Sequence, residues 1–156
     1  MPKSLEIPVV ARGSLTRILG LDIGDKRIGV ALSDQGGVIA SPLTIIERTN
    51  LQQDIESIIT LFYQHEAGII VVGLPLTMDG TIGHQAQKVK SFADSLARNA
   101  GVSVVYRDES LTTLEAKQLM QLMRKKKKRE KEKDDAVAAA FILQGYLDEQ
   151  SNNLNG

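Results

Sequence analysis

A chain of 156 residues, 42% of them hydrophobic, has material for one domain with a real core and little beyond it. It has no cysteine, which excludes disulfide frameworks, thiolate metal sites and cysteine nucleophiles; its two histidines, His65 and His84, are too few for a histidine-rich zinc centre. Basic and acidic residues balance at 19 each, yet eight basic and two acidic residues crowd between Arg124 and Lys133, a local net of +6 that leaves −6 on everything else.

Residues 1–15 read as a flexible arm without the hydrophobic block of a secretory signal. No apolar run downstream approaches the ~20 residues needed to cross a bilayer, so a cytoplasmic protein with no membrane partner is the expectation. Thr16 to Ile23 is a short apolar run ended by the turn signal Gly24-Asp25. Arg27 to Leu32 resumes the pattern at once, which predicts a β-hairpin. Val38 to Glu47 is a third strand candidate, interrupted near Pro42.

The period then changes. Leu51, Ile55, Ile58, Ile59 and Phe62 recur at helical spacing and predict a helix from about Asn50 to His65. Ala67 to Gly73 reads as a strand buried on both faces. Val89, Phe92, Ala93, Leu96, Ala97 and Ala100 mark a second helix, stopped by Gly101. Val102 to Tyr106 is the fifth strand, and Thr112 with Glu115 makes a capping box that opens a third helix. The basic run follows as a charged loop. Asp135 to Leu147 is a nearly all-apolar helix expected to be buried, and residues 150–156 read as a disordered tail. The domain proper is then 16–149, a mixed sheet with helices packed on it.

Three carboxylates stand out by their surroundings. Asp22 interrupts an otherwise apolar strand, where an unpaired charge would be costly; it either begins the turn at Gly24 or meets a partner charge or metal. Glu109 follows the fifth strand, at a strand end where α/β folds often place reactive groups, although a solvated loop carboxylate would look the same. Asp135, beside Asp134, opens the last helix, where one of the two can cap free N–H groups. Three carboxylates without a cysteine or histidine cluster favour hard cations, Mg²⁺ or Mn²⁺, which could clamp a phosphodiester. The basic run Arg124, Lys125, Lys126, Lys127, Lys128 and Arg129, with Lys26 and Arg27 on the hairpin, would supply attraction for a polyanion. Aromatics at 4% make base stacking a minor grip.

The segments GLDIGDKRIGVALSD (Gly20 to Asp34), VVGLPLTMDGT (Val71 to Thr81), RDESLTTLEA (Arg107 to Ala116) and DDAVAAAFILQGYL (Asp134 to Leu147) resemble the signature blocks of the YqgF/RuvX family, in order and spacing. The resemblance implies an α/β RNase H-like fold, a five-stranded mixed sheet of order 3-2-1-4-5 with helices on both faces. It also implies a metal-dependent nuclease. The family is described both as processing the 5′ end of 16S ribosomal RNA precursors and as resolving Holliday junctions. Maturation of pre-rRNA, with the small ribosomal subunit precursor as a partner, is the favoured expectation. Cleavage of branched DNA is the alternative, and a non-catalytic nucleic-acid-binding module is a third. By motif position Asp22, Glu109 and Asp135 match the catalytic and metal-binding acids, although the Asp134-Asp135 doublet can be read either way. Ser110 stands where the family usually has arginine. The chain is expected to act as a monomer or a homodimer. In such a sheet the fifth strand lies two places, roughly 9–10 Å, from the first. Glu109 must therefore lean across the fourth strand, which an early end at Gly73-Leu74-Pro75 would permit.

Overall fold

The computed structural model describes residues 16–75, 82–108 and 128–155, the last segment by backbone alone over 128–134 and 153–155. Five strands form one sheet: β1 (Arg17–Ile23), β2 (Arg27–Ser33), β3 (Ala40–Glu47), β4 (Ala67–Leu74) and β5 (Val104–Asp108), ordered β3-β2-β1-β4-β5. The first three are antiparallel neighbours; β4 runs parallel to β1, and β5 to β4. The helices are α1 (Leu51–Gln64), α2 (His84–Ala100) and α3 (Lys128–Asn155). The sheet order and the places of α1 and α2 match the expectation from sequence.

Local chemistry accounts for the element ends. Gly24 N–H donates to Arg27 O at 2.9 Å and closes the β1–β2 turn. The Asn50 side chain accepts from Gln53 N–H and caps α1, while Gly101, at φ 66°, ends α2 in the left-handed conformation a glycine adopts without strain. β3 starts at Ala40 rather than Val38 because the N–H groups of Val38 and Ile39 both donate to Asp34 Oδ1, at 2.8 and 2.9 Å, and stay in the turn. Those two bonds hold the Asp34 carboxyl below its usual range. The interruption at Pro42 is a register shift on the edge strand: Val30 pairs with Thr44 and Ala31 with Pro42, where a missing N–H does least harm. β5 begins at Val104, not Val102; Val102 is buried in the link from α2 to the sheet.

The pleat divides the core in two. Leu19, Leu21, Ile28, Val30, Ile70 and Val72 face α1 and α2, which cover one side with Ile58, Phe62, Val89 and Leu96. Ala31 and Val71 face the other, against Ala139, Ile142, Leu143 and Leu147 of α3. α3 is longer than expected: its described part begins at Lys128, within the presumed basic loop, and continues through Asn155, so residues 150–155 are helical rather than a frayed tail. Nor is it buried all round. Among the described helices only α3 lies on this face of the sheet, and Phe141 is 58% exposed.

What lets α3 lie down is missing side chains on β1 and β2. A Cβ at Gly20 would stand 2.8 Å from Leu143 Cβ, and one at Gly29 would fall 1.9 Å from the backbone oxygen of Asp135. The first neighbour is a side chain; the second is main chain and cannot turn aside. Beyond these contacts, Gln144 holds the helix to the β2–β3 connection, accepting from Ala40 N–H and donating to Val38 O, both at 2.9 Å. Arg107 of β5 reaches Glu149 at 3.2 Å across Gly145, where a Cβ would meet the guanidinium.

The Gly29→Ala variant is therefore expected to push the start of the α3 contact off the sheet, costing about 3 kcal/mol or more. Thermal unfolding should show this as a midpoint lower by roughly 6–12 °C, whereas Gly37→Ala, in a turn with open space around it, tests only its positive φ.

Candidate active site

Alternation along β1 puts Asp22 on the α3 face, together with Gly20, while Leu21 and Ile23 point into the opposite core. Its cross-strand partner is Gly29. On its other side Leu21 pairs with Val72, which sets Gly73 next to Asp22, and Gly73 pairs in turn with Arg107. One row across four strands thus reads Gly29, Asp22, Gly73, Arg107, a partly exposed carboxylate with a glycine on each side. β4 does not end early at Gly73, as the sequence led us to expect, but runs on to Leu74. Between β1 and β5 on this face, Gly73 puts no side chain of its own.

Asp135 enters the same place from above. Its main chain rests on Gly29, the residue that pairs with Asp22. Its carboxylate Oδ2 accepts from Arg27 Nε at 2.9 Å, and both side chains are 27% exposed. Arg27 lies two residues before Gly29 and so shares its face of β2. Of the sequence-predicted residues, then, Asp22, Arg27 and Asp135 converge around one glycine. Arg27 makes an ion pair with Asp135, whereas the sequence placed it among groups aimed at phosphate. Lys26 is exposed at the tip of the turn.

Glu109 and Arg124 to Lys127 lie outside the described residues, as do Thr112 and Glu115 of the expected capping box. Lys128 and Arg129 fall in the helical backbone of α3, whose charged stretch from Lys128 to Lys133 leads without a break into Asp135. Two helical turns, about 10 Å, separate Lys128 from Asp135 along the axis.

A second charged cluster supports the hairpin from the far face, and sequence reading missed it. Asp54, 2% exposed on α1, accepts from Arg48 Nε at 3.1 Å and from Thr49 N–H at 3.0 Å. Arg48 also donates to Gly24 O at 2.8 Å and stacks 4.9 Å over the Phe92 ring. The turn that follows Asp22 is thereby tied to α1 and α2. Arg48 and Asp54 look like ordinary surface charges in sequence, because nothing local shows that β3 and α1 bring them under the turn.

The donors present suit a hard cation: Asp22 and Asp135 offer carboxylate oxygens. Among the described residues no group of three or more His, Cys, Asp or Glu side chains that could hold a metal ion is found. Two carboxylates fit an ion such as Mg²⁺ that keeps several waters, so they are compatible with one without forming a complete cage.

The comparison that assigns this arrangement spans residues 16–149, which match the family model described as "RuvX: Holliday junction resolvase". The chain belongs to the RuvX family. It is 45% identical over 137 residues to a protein of Thermoanaerobacter pseudethanolicus named "Putative pre-16S rRNA nuclease", covering 87% of this chain and 99% of that one. It is 43% identical to a protein of the same name from Crocosphaera subtropica, covering 87% and 95%. Among solved structures it resembles Thermus thermophilus RuvC in complex with a Holliday junction substrate, with a TM-score of 0.54 at 13% identity, covering 87% of this chain and 96% of that one. At that identity the likeness speaks for the fold alone, which is RNase H-like. No described helix of the RuvX chain is long and apolar enough to cross a membrane.

Proposed function

We propose that this RuvX chain is a metal-dependent endonuclease that hydrolyses phosphodiester bonds in structured nucleic acid, with the 5′ end of pre-16S rRNA as its substrate. The observation that carries the reading is the place of two acids about Gly29, Asp22 as its partner across the ladder and Asp135 with its main chain resting on it. A strand buried on one face and a helix packed on the other each spend a carboxylate at one point, against the repulsion of like charges. A protein that only bound nucleic acid would gain nothing from placing two acids where phosphate approaches.

In this reading Asp22 and Asp135 hold Mg²⁺ or Mn²⁺, with Glu109 as a third donor. Glu109 follows the last residue of β5, the strand that ends the row Gly29, Asp22, Gly73, Arg107. A bound divalent ion supplies polarisation of the phosphodiester and a water acidic enough to attack it. The protein's own part is to fix the acids. The β1–β2 hairpin, tied down by Arg48, sets Asp22, and the close seat on Gly29 sets Asp135. The basic stretch from Arg124 to Arg129, with Lys26, attracts that backbone without reading sequence. The small ribosomal subunit precursor is the partner this substrate implies. The curated relatives' names favour the rRNA precursor; the family model's description supports the second reading, resolution of four-way DNA junctions, which needs two active sites acting together.

A side-by-side assay on pre-16S rRNA and a four-way DNA junction separates the two readings, with cleavage of the RNA expected to be the faster. Asp22→Asn and Asp135→Asn should each slow cleavage in Mg²⁺ by about a thousandfold, the several kcal/mol a metal site supplies, with substrate affinity kept within a few-fold. Full activity in either variant removes that residue from the site.

Replacing Lys125 to Lys128 with glutamine should weaken binding uniformly across sequences. The slope of log affinity against log salt should fall by about 3 units, and an unchanged slope places the substrate elsewhere.

A further inference from the structure

Arg27 is set where a counter-ion to a carboxylate is natural. Its Nε–H donates to Asp135 Oδ2 at 2.9 Å, on the α3 face of β2, two residues from the glycine that both acids share. The packing of α3 on β1 and β2 brings Asp135 to the strand pair that carries Asp22, and a carboxylate placed beside another acid is stabilised by a positive charge next to it. A guanidinium never loses its charge, and its planar fork suits carboxylate oxygens better than a lysine ammonium would. We propose that Arg27 is an internal stand-in for the divalent ion: it neutralises Asp135 in the metal-free protein and gives up the carboxylate when the metal enters. The inference rests on the metal-dependent reading above and deepens it.

The geometry makes the exchange feasible. The pair is 27% exposed on each side, so an incoming ion reaches the oxygen without opening the core. The backbone of Asp135 is held by its seat on Gly29 independently of the ion pair, so the residue keeps its place against the sheet when the guanidinium leaves. Arg27 stands on the first residue of β2, beside the hairpin turn. A dication next to both acids repels the guanidinium and sends it toward the groove, where substrate phosphate arrives. Metal loading and phosphate binding would then be coupled through one side chain, and bare protein would hold metal loosely by design.

The expected signature is competition. In Mn²⁺ titrations of the full chain followed by electron paramagnetic resonance, Arg27→Gln should bind Mn²⁺ about tenfold more tightly than the natural protein. Arg27→Lys, which keeps the charge, should stay within about threefold of it. Mn²⁺ should also raise the unfolding midpoint of Arg27→Gln more than that of the natural protein, and Arg27→Met, which keeps the aliphatic stem, replaces Arg27→Gln if that variant folds poorly. Asp22→Asn serves as the control that assigns the bound ion to this site. Mn²⁺ affinity in the neutral variants equal to or weaker than that of the natural protein overturns the proposal and makes Arg27 a fixed brace, leaving the nuclease reading intact. Absence of Mn²⁺ binding at this site in the natural protein and the variants alike overturns both.

Discussion

The contact between the main chain of Asp135 and the bare α-carbon of Gly29 is the constraint on which the molecule's arrangement turns. It sets how near α3 lies to the sheet, and through that the depth at which Asp135 enters. It also sets which residue Asp135 meets, because Gly29 is hydrogen-bonded across the ladder to the strand that carries Asp22. Gly20 repeats the device further along α3, against Leu143. Small residues on β1 and β2 therefore do two jobs: they let α3 lie close on its face of the sheet, and they bring Asp135 to the strand pair that carries Asp22.

Around that contact, ties of different chemistry limit how the site can move. Gln144 holds α3 to the start of β3 through two backbone bonds, and Arg107 holds it from β5 through Glu149. On the far face, Arg48 and Asp54 secure the turn after Asp22. A buried ion pair adds little net stability against a well-packed apolar alternative. Its use here is directional: Arg48 reaches a single carbonyl oxygen, that of Gly24, and so gives the hairpin one position. These ties hold the backbone on either side of Asp22 and Asp135.

Much of this was legible in the sequence because it rests on periodicity and punctuation. Asn50, Gly101 and the Gly24-Asp25 turn mark element ends through local chemistry that needs no tertiary context, and the sheet order followed from the family blocks. Asp22 and Asp135 stood out, the one as a charge in an apolar strand, the other as an acid opening an apolar helix. What escaped was set by distant contacts. The ends of α3 were misplaced because an apolar period marks only the stretch that touches the sheet, and its charged continuations carry no such mark. The Arg27–Asp135 pair spans most of the chain, and the buried state of Asp54 depends on α1 folding under the hairpin. Gly29 did leave a trace: an isolated glycine within a strand pattern signals that another backbone comes close.

The central claim is that Asp22 and Asp135 form one cation-binding centre. Diffraction from crystals of the full chain soaked in Mn²⁺, collected at a wavelength where manganese scatters anomalously, tests it most directly. The account predicts an anomalous peak within bonding distance of both carboxylates. A peak held by only one of them, or manganese bound only elsewhere on the chain, would contradict it.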